Sequence, residues 1–272
     1  MNPLTRASRK HVRRVAVFAL LLAPAIYFAP VPTALMLTCG VLDVSRHRRI
    51  SWRLIEEYFT GKGLLTWLLS PINLLADLFS RRPRRALRFE ELPAECRREI
   101  ESCVAAFLAN SGLITETIRP HLAGGSRVML AFRWFGAPLH QAIRIPAFEQ
   151  KFRYIKTIAI STFQHRDQTS WHFGPQRLTY RVLRNLEPLD SPDVYVAIDD
   201  RVHRWNDAPL LVFDDTMFHQ SVNGADATRH CLFVDIIRPN WFHAGFEVAV
   251  GTMSFVAGSF RNVFYKHWSF VS

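Results

Sequence analysis

His172-Phe173-Gly174-Pro175, then Phe213-Asp214-Asp215-Thr216-Met217-Phe218-His219, with Arg229 after them, is the stretch whose reading decides the fold. Around it lie short β-rich runs at residues 155–162, 178–186, 194–198, 210–213 and 231–237. Turn signals such as Asp190-Ser191-Pro192 and Asn223-Gly224 separate them. Several short strands at close spacing predict a mainly β domain, a sandwich or barrel of jelly-roll or double-stranded β-helix type. Such a domain has a mouth where residues from different strands converge, and His172 and His219 fall at strand ends near it. Two imidazoles followed by a guanidinium in an apolar strand can bind a metal ion and a carboxylate cosubstrate in one cleft.

The chain has 272 residues, 49% of them hydrophobic, enough for one full core plus an appendage. Its net charge of +11 suits an anionic partner, whether nucleic acid, a membrane surface or an acidic substrate. Cys39, Cys96, Cys103 and Cys231 show no CxxC spacing and read as reduced cytosolic thiols rather than a disulfide framework.

A basic N-terminus (1–14) precedes residues 15–42, which contain no charged side chain. A helix of about 20 residues crosses a hydrocarbon core of roughly 30 Å, so this run is expected to be an uncleaved anchor. A cleaved signal peptide is the alternative; the length of the run, and Arg46, His47, Arg48 and Arg49 after it like a stop signal, argue against that. Pro24, Pro30 and Pro32 allow either one kinked span or a re-entrant hairpin with both ends on one face. Residues 43–110 read as a membrane-proximal helical region. Its clusters around Trp52 and Trp67 are followed by Arg81, Arg82, Arg84, Arg85 and Arg88, either a lipid-phosphate grip or a solvated linker. Within it Ile100, Val104, Phe107 and Leu108 recur at helical spacing. Gly124-Gly125 and Pro138 mark a loop-rich passage. The β domain is expected over 111–240 and a C-terminal amphipathic helix over 241–272.

The segment from Lys156 to Pro239 resembles the aspartyl/asparaginyl β-hydroxylase family, which includes bacterial lipid A fatty-acid 2-hydroxylases. The resemblance rests on the His172 motif, Arg181 nine residues later, Trp205, the Phe213-to-His219 motif, Arg229 ten residues after His219, Val234-Asp235 and Arg238-Pro239. Upstream, Leu69-Ser70-Pro71-Ile72-Asn73 and Leu78-Phe79-Ser80 are weakly similar to a membrane-proximal stretch of the lipid A hydroxylases. The family implies Fe(II) held by His172 and His219, 2-oxoglutarate as cosubstrate and O2 as oxidant. Arg229 would pair with the distal carboxylate of 2-oxoglutarate, with Arg181 as a second carboxylate contact and Ser161 touching the same cosubstrate. Asp214 and Asp215 would orient the turn or His219 without binding iron, and Trp205 would pack beneath that turn.

Three features depart from the pattern. Gly174 stands where many 2-oxoglutarate oxygenases, the lipid A branch included, carry a carboxylate ligand. Leu183 stands where many members have a histidine. Gln164-His165-Arg166-Asp167 replaces the usual Pro-Gly turn, and its His-Arg-Asp imitates a ligand motif seven residues too early relative to Arg181. It reads as a decoy.

The resemblance implies a dioxygenase that hydroxylates a C–H bond. The expected substrate is the acyl chain of a membrane lipid of the lipid A or ornithine-lipid type. The expected partner is the bilayer, with no nucleic acid, and the expected place is the bacterial inner membrane with the catalytic domain cytoplasmic. The apolar residues from Trp241 to Phe260 suit an interfacial helix, or equally a helix packed on the domain. Gly174 favours an alternative, β-hydroxylation of Asp or Asn in a peptide or protein. A non-catalytic membrane adaptor that keeps the barrel without the chemistry is the reading from a different class.

Overall fold

Pro30 divides the uncharged N-terminal run into two helices, α1 (Pro3–Phe28) and α2 (Pro30–Val44). Proline at the first helical position loses no hydrogen bond, because that N–H has no partner inside the helix. Across the break, the Thr33 hydroxyl donates to the Ala25 carbonyl at 2.9 Å and ties the two helices together. The computed structural model describes residues 3–81, 84–124, 127–187, 191–264 and 268–271; Arg82, Gly125 and Asp190 lie outside the described residues. The chain forms two units, one of residues 1–78, 171–177 and 215–219, the other of residues 79–170, 178–214 and 220–272.

In the first unit, α1 and α2 fold back on one another, and a third helix, α3 (Trp52–Thr60), holds both outer ends. His11 and Arg14 near the start of α1 pair with Glu56 and Glu57 of α3, the second pair at 3.0 Å. Near the end of α2, Asp43 accepts a 2.7 Å hydrogen bond from the Tyr58 hydroxyl of the same α3. The two helices thus form a helical hairpin closed by α3. Gly40 lets α2 approach α4 (Leu64–Leu68) closely: a Cβ there would lie 2.5 Å from Cδ1 of Trp67. α5 (Ser70–Phe79) completes the helical set. The unit's core joins Val44, Leu54, Tyr58 and Trp67 to Phe173 and Phe218, which flank the candidate ligands in the chain.

The second unit is two mainly antiparallel sheets. The larger runs β1 (Ala86–Leu87), β9 (Leu210–Phe213), β6 (Thr179–Asn185), β11 (Arg229–Ile237), β4 (Ile155–Phe163), β2 (Arg127–Trp134) and β12 (Ser269–Val271), with β3 (Ala137–Pro138) beside β2. The smaller runs β5 (Asp167–Gln168), β10 (His219–Asn223), β7 (Val194–Ile198) and β8 (Arg201–Arg204). β4 and β11 pair antiparallel at the centre, and every residue of both is buried. Their β-branched and aromatic side chains fit a pleated surface covered on both sides. Alternation assigns the faces. Leu232, Val234 and Ile236 join Ile158 and Ile160 in a core covered by α6 (Ala94–Ala109) and α7 (Ser111–Ile118) through Ile100, Phe107, Ile114 and Ile118. α8 (Pro146–Glu149) adds Phe148 to that core, and the Glu99 carboxylate of α6 accepts the N–H groups of Arg153, Tyr154 and Ile155.

Three predicted strands recur within a residue or two as β4, β6 and β11, and β7 and β9 have the predicted bounds. The passage read as loop-rich contains an eight-residue strand, β2. The C-terminal segment is not helical throughout, since α9 (His243–Phe264) is followed by β12, which pairs parallel with β2.

Candidate active site

His172 and His219, read from separate strands, are reciprocal partners. Each backbone N–H donates to the other's carbonyl at 3.0 Å, and their ring centroids lie 4.1 Å apart with the planes at 50°. His219 Nδ1 lies 2.8 Å from the Met217 carbonyl, which can only accept, so that nitrogen carries the hydrogen and Nε2 keeps its lone pair. Nε2 faces Asp215 Oδ1 at 3.3 Å. A lone pair opposite a carboxylate favours a proton or a metal ion between them.

Gly174 explains itself against the same residue. A Cβ on residue 174 would fall 1.8 Å from Asp215 Oδ2, so the Asp215 carboxylate fills the volume that a carboxylate at 174 would need. The Gly174 N–H also donates to the Asp215 carbonyl at 2.7 Å. Two imidazoles with a carboxylate alongside form the mixed nitrogen and oxygen set that suits Fe(II). Among the described residues no group of three or more His, Cys, Asp or Glu side chains is placed to hold a metal ion, so the two imidazoles are what the site offers one. The residues fit such an ion.

Both ligand segments are held by the helices. Thr66 donates to the Gly174 carbonyl at 2.8 Å, and Asn73 donates to the Pro175 carbonyl and accepts the Arg177 N–H. The Arg177 guanidinium, 1% exposed, pairs with Asp43 and with Asp77, the latter at 2.8 Å. The Phe218 N–H donates to Nε2 of His47 at 3.1 Å. Tyr58 sits in the Asp43 pair, and burial with that carboxylate beside it pushes its hydroxyl pKa well up. Sequence reading placed none of Asp43, His47, Thr66, Asn73 or Arg177 at the site.

The candidate cosubstrate residues lie on the larger sheet of the second unit, on the face away from the α6 core. Arg229 opens β11, Ser161 pairs with Cys231, and Arg181 pairs with Asp235. Arg229 is 1% exposed, and its guanidinium donates to Ser221 Oγ at 2.7 Å and the Val222 carbonyl at 3.2 Å. It lies over the Phe163 ring at 4.3 Å and over the Trp205 ring at 5.9 Å. Its Nε has no hydrogen-bond partner among the described residues, and burial pulls its pKa down. A buried cation with a donor to spare fits an incoming carboxylate.

The Ser161 hydroxyl donates to the Cys231 carbonyl at 3.3 Å. Arg181 makes an ion pair with Asp235 at 3.0 Å over the Phe233 ring. Asp235 lies six residues beyond Arg229, about 20 Å along the strand, so the arginines stand toward opposite ends of one face. Asn185 shares the Ser161–Cys231 row, is buried, and has neither amide atom partnered among the described residues; sequence reading passed over it. Asp214, 0% exposed, pairs with Arg238 at 2.7 Å in the second unit. His165 is exposed at a turn where Arg166 takes a positive φ of 53°, Arg166 pairs with Asp226, and Asp167 pairs with Arg127.

Residues 139–239 match the family described as aspartyl/asparaginyl β-hydroxylase. The matched segment contains His172, His219, Arg181, Arg229 and Ser161. The chain is also similar to the ornithine lipid ester-linked acyl 2-hydroxylase of Rhizobium tropici, 31% identical over 91 residues that make up 33% of this chain and 32% of that one. The chain thus spans about a third of the length of the curated relative it matches. Among solved structures, a 2OG-Fe(II) oxygenase family oxidoreductase from Burkholderia pseudomallei has 19% identity and a TM-score of 0.26, covering 35% of this chain and 50% of that one. A cupin 2 domain-containing protein from Halorhodospira halophila has 12% identity and a TM-score of 0.27, covering 49% and 83%. Scores this low carry nothing for the fold, which rests on the strand pairing.

Proposed function

We propose that this chain is an Fe(II)/2-oxoglutarate-dependent dioxygenase of double-stranded β-helix type that hydroxylates the acyl chain of a membrane lipid. The observation that carries the reading is the His172–His219 pair with the Asp215 carboxylate beside it, inside a hydroxylase-family segment. His172 and His219 would hold the iron, and iron with 2-oxoglutarate and O2 supplies the oxidising power for C–H hydroxylation. One oxygen atom enters the substrate and the other leaves in succinate, with release of CO2. The chain's own work is to bind and orient. Arg229 would take the distal carboxylate with its two-donor fork, Ser161 lies one pleat further along the same face, and Arg181 stands toward the face's other end.

The lipid substrate is supported by the Rhizobium tropici relative and by the helices. The stretch His11–Phe28 is long and apolar enough to cross a membrane, and Leu20, Leu21, Tyr27, Phe28, Val31 and Leu35 on α1 and α2 are exposed. Apolar side chains turned outward along a hairpin suit a bilayer. We assign the protein to the bacterial inner membrane, with the β unit on the cytoplasmic side.

Lipid mass spectrometry of cells expressing the wild type, His219→Ala or no protein tests this reading. An acyl chain gaining the mass of one oxygen atom in wild-type cells alone is expected. Unchanged lipids together with hydroxylated Asp or Asn in a protein would move the substrate to the peptide class that Gly174 favours.

A further inference from the structure

His47 lies in a run, Arg46-His47-Arg48-Arg49, that looks like the solvated stop after a membrane helix. The structure buries it to 5% exposure, between the end of α2 and the second ligand segment. Its Nδ1 lies 3.0 Å from the Val44 carbonyl, which only accepts, so Nδ1 carries the hydrogen. Nε2 is then the acceptor and takes the Phe218 N–H at 3.1 Å. The ring also meets the Phe173 ring edge-on at 5.9 Å, and Phe173 stacks on Phe218 at 4.7 Å. One imidazole therefore touches the chain neighbours of both candidate ligands.

We propose that His47 is a positioning residue of the metal centre, fixing the peptide that carries His219, so that the N-terminal hairpin is part of the site and not only a tether. The inference rests on the metal reading above. The peptide between Phe218 and His219 carries the backbone that pairs with His172, so a hydrogen bond at Phe218 N sets the direction in which the His219 ring leaves the strand. The neutral tautomer of His47 suits the task, because its donor is spent on the end of α2 and its acceptor takes the Phe218 N–H. The Arg177–Asp43 pair secures the first ligand segment from the same helix, so α2 braces both sides of the pair.

Co(II) titration of the full-length protein in detergent, followed by visible absorbance, tests this. Partners one bond removed from a metal ligand are worth about 10–100-fold in metal affinity. His47→Ala is expected to weaken Co(II) binding by that factor and alter the spectrum. His47→Gln, whose amide oxygen can reach the Phe218 N–H, should recover most of the affinity, and His47→Asn, which stops short, should not. His230→Ala, an equally buried histidine in the β unit, should leave Co(II) affinity unchanged. A folded His47→Ala with wild-type affinity and spectrum overturns the proposal, as does a loss matched by His230→Ala. If His47→Ala does not fold, equal affinities for the Gln and Asn variants overturn it. Co(II) binding that survives in both His172→Ala and His219→Ala shows instead that the metal reading itself has failed, and the inference falls with it.

Discussion

Asp215 Oδ1 stands 3.3 Å from His219 Nε2 while the other oxygen of the same carboxylate occupies the space above Gly174. One side chain thus accounts for the missing carboxylate in the first motif.

Gly174→Asp is therefore expected to fail, because its Cβ alone overlaps Asp215. Overpacking of this kind typically costs about 1–3 kcal/mol. Gly174→Asp should lose thermal stability and most Co(II) affinity. The double variant Gly174→Asp/Asp215→Gly should regain both, since the carboxylate returns from the other side. Calorimetry and metal titration report the two quantities, and a single variant that binds metal like the wild type would contradict the steric account.

Arg229→Ala should raise the 2-oxoglutarate concentration needed for half-maximal succinate formation. Truncating one partner of a buried charged pair costs about 3–5 kcal/mol, or more than a hundredfold in affinity. Arg229→Lys should lose less, because it keeps the charge without the fork. Arg181→Ala should change the same concentration less, its guanidinium being already matched by Asp235. An unchanged dependence in Arg229→Ala would make this arginine a core residue only.

His230 gives a pH prediction. Its Nδ1 lies 2.9 Å from Thr162 Oγ1, and burial pushes its pKa from 6.5 down to about 4. The unfolded chain takes up a proton there near 6.5, whereas the folded chain resists until about 4. Stability should be level above that window and fall as the pH drops through it, by at most about 3 kcal/mol. Urea midpoints for the wild type and His230→Gln at pH 7 and pH 4.5 should diverge, with the variant losing less. Parallel losses would mean that this ring does not resist protonation.

The strands were legible because their signals are local. Residues 155–162 and 231–237 alternate or run apolar between turn residues, and they became β4 and β11. β2 escaped because turn residues crowd both its ends, Gly124-Gly125 before it and Gly136 and Pro138 after it. Spacing in the sequence singled out His172 and His219, and the structure pairs their backbones. His47 and Asp43 were not legible, because their partners are 171 and 134 residues away, and no periodicity in the chain reports such a contact. The need for glycine at 174 was likewise illegible, since it originates in the side chain of residue 215.

The unit that holds the two histidines is stitched from three separate stretches of chain, the last ending at residue 219. Contacts between residues so far apart close late, because chain entropy must be lost before they return any free energy. During synthesis the hairpin emerges first, with the carboxylate of Asp43 lacking its arginine and the ring of His47 lacking its amide. On the proposed reading metal capture is accordingly a late event of biogenesis, because a nascent chain stalled before residue 219 lacks one of the two histidines that would hold the ion.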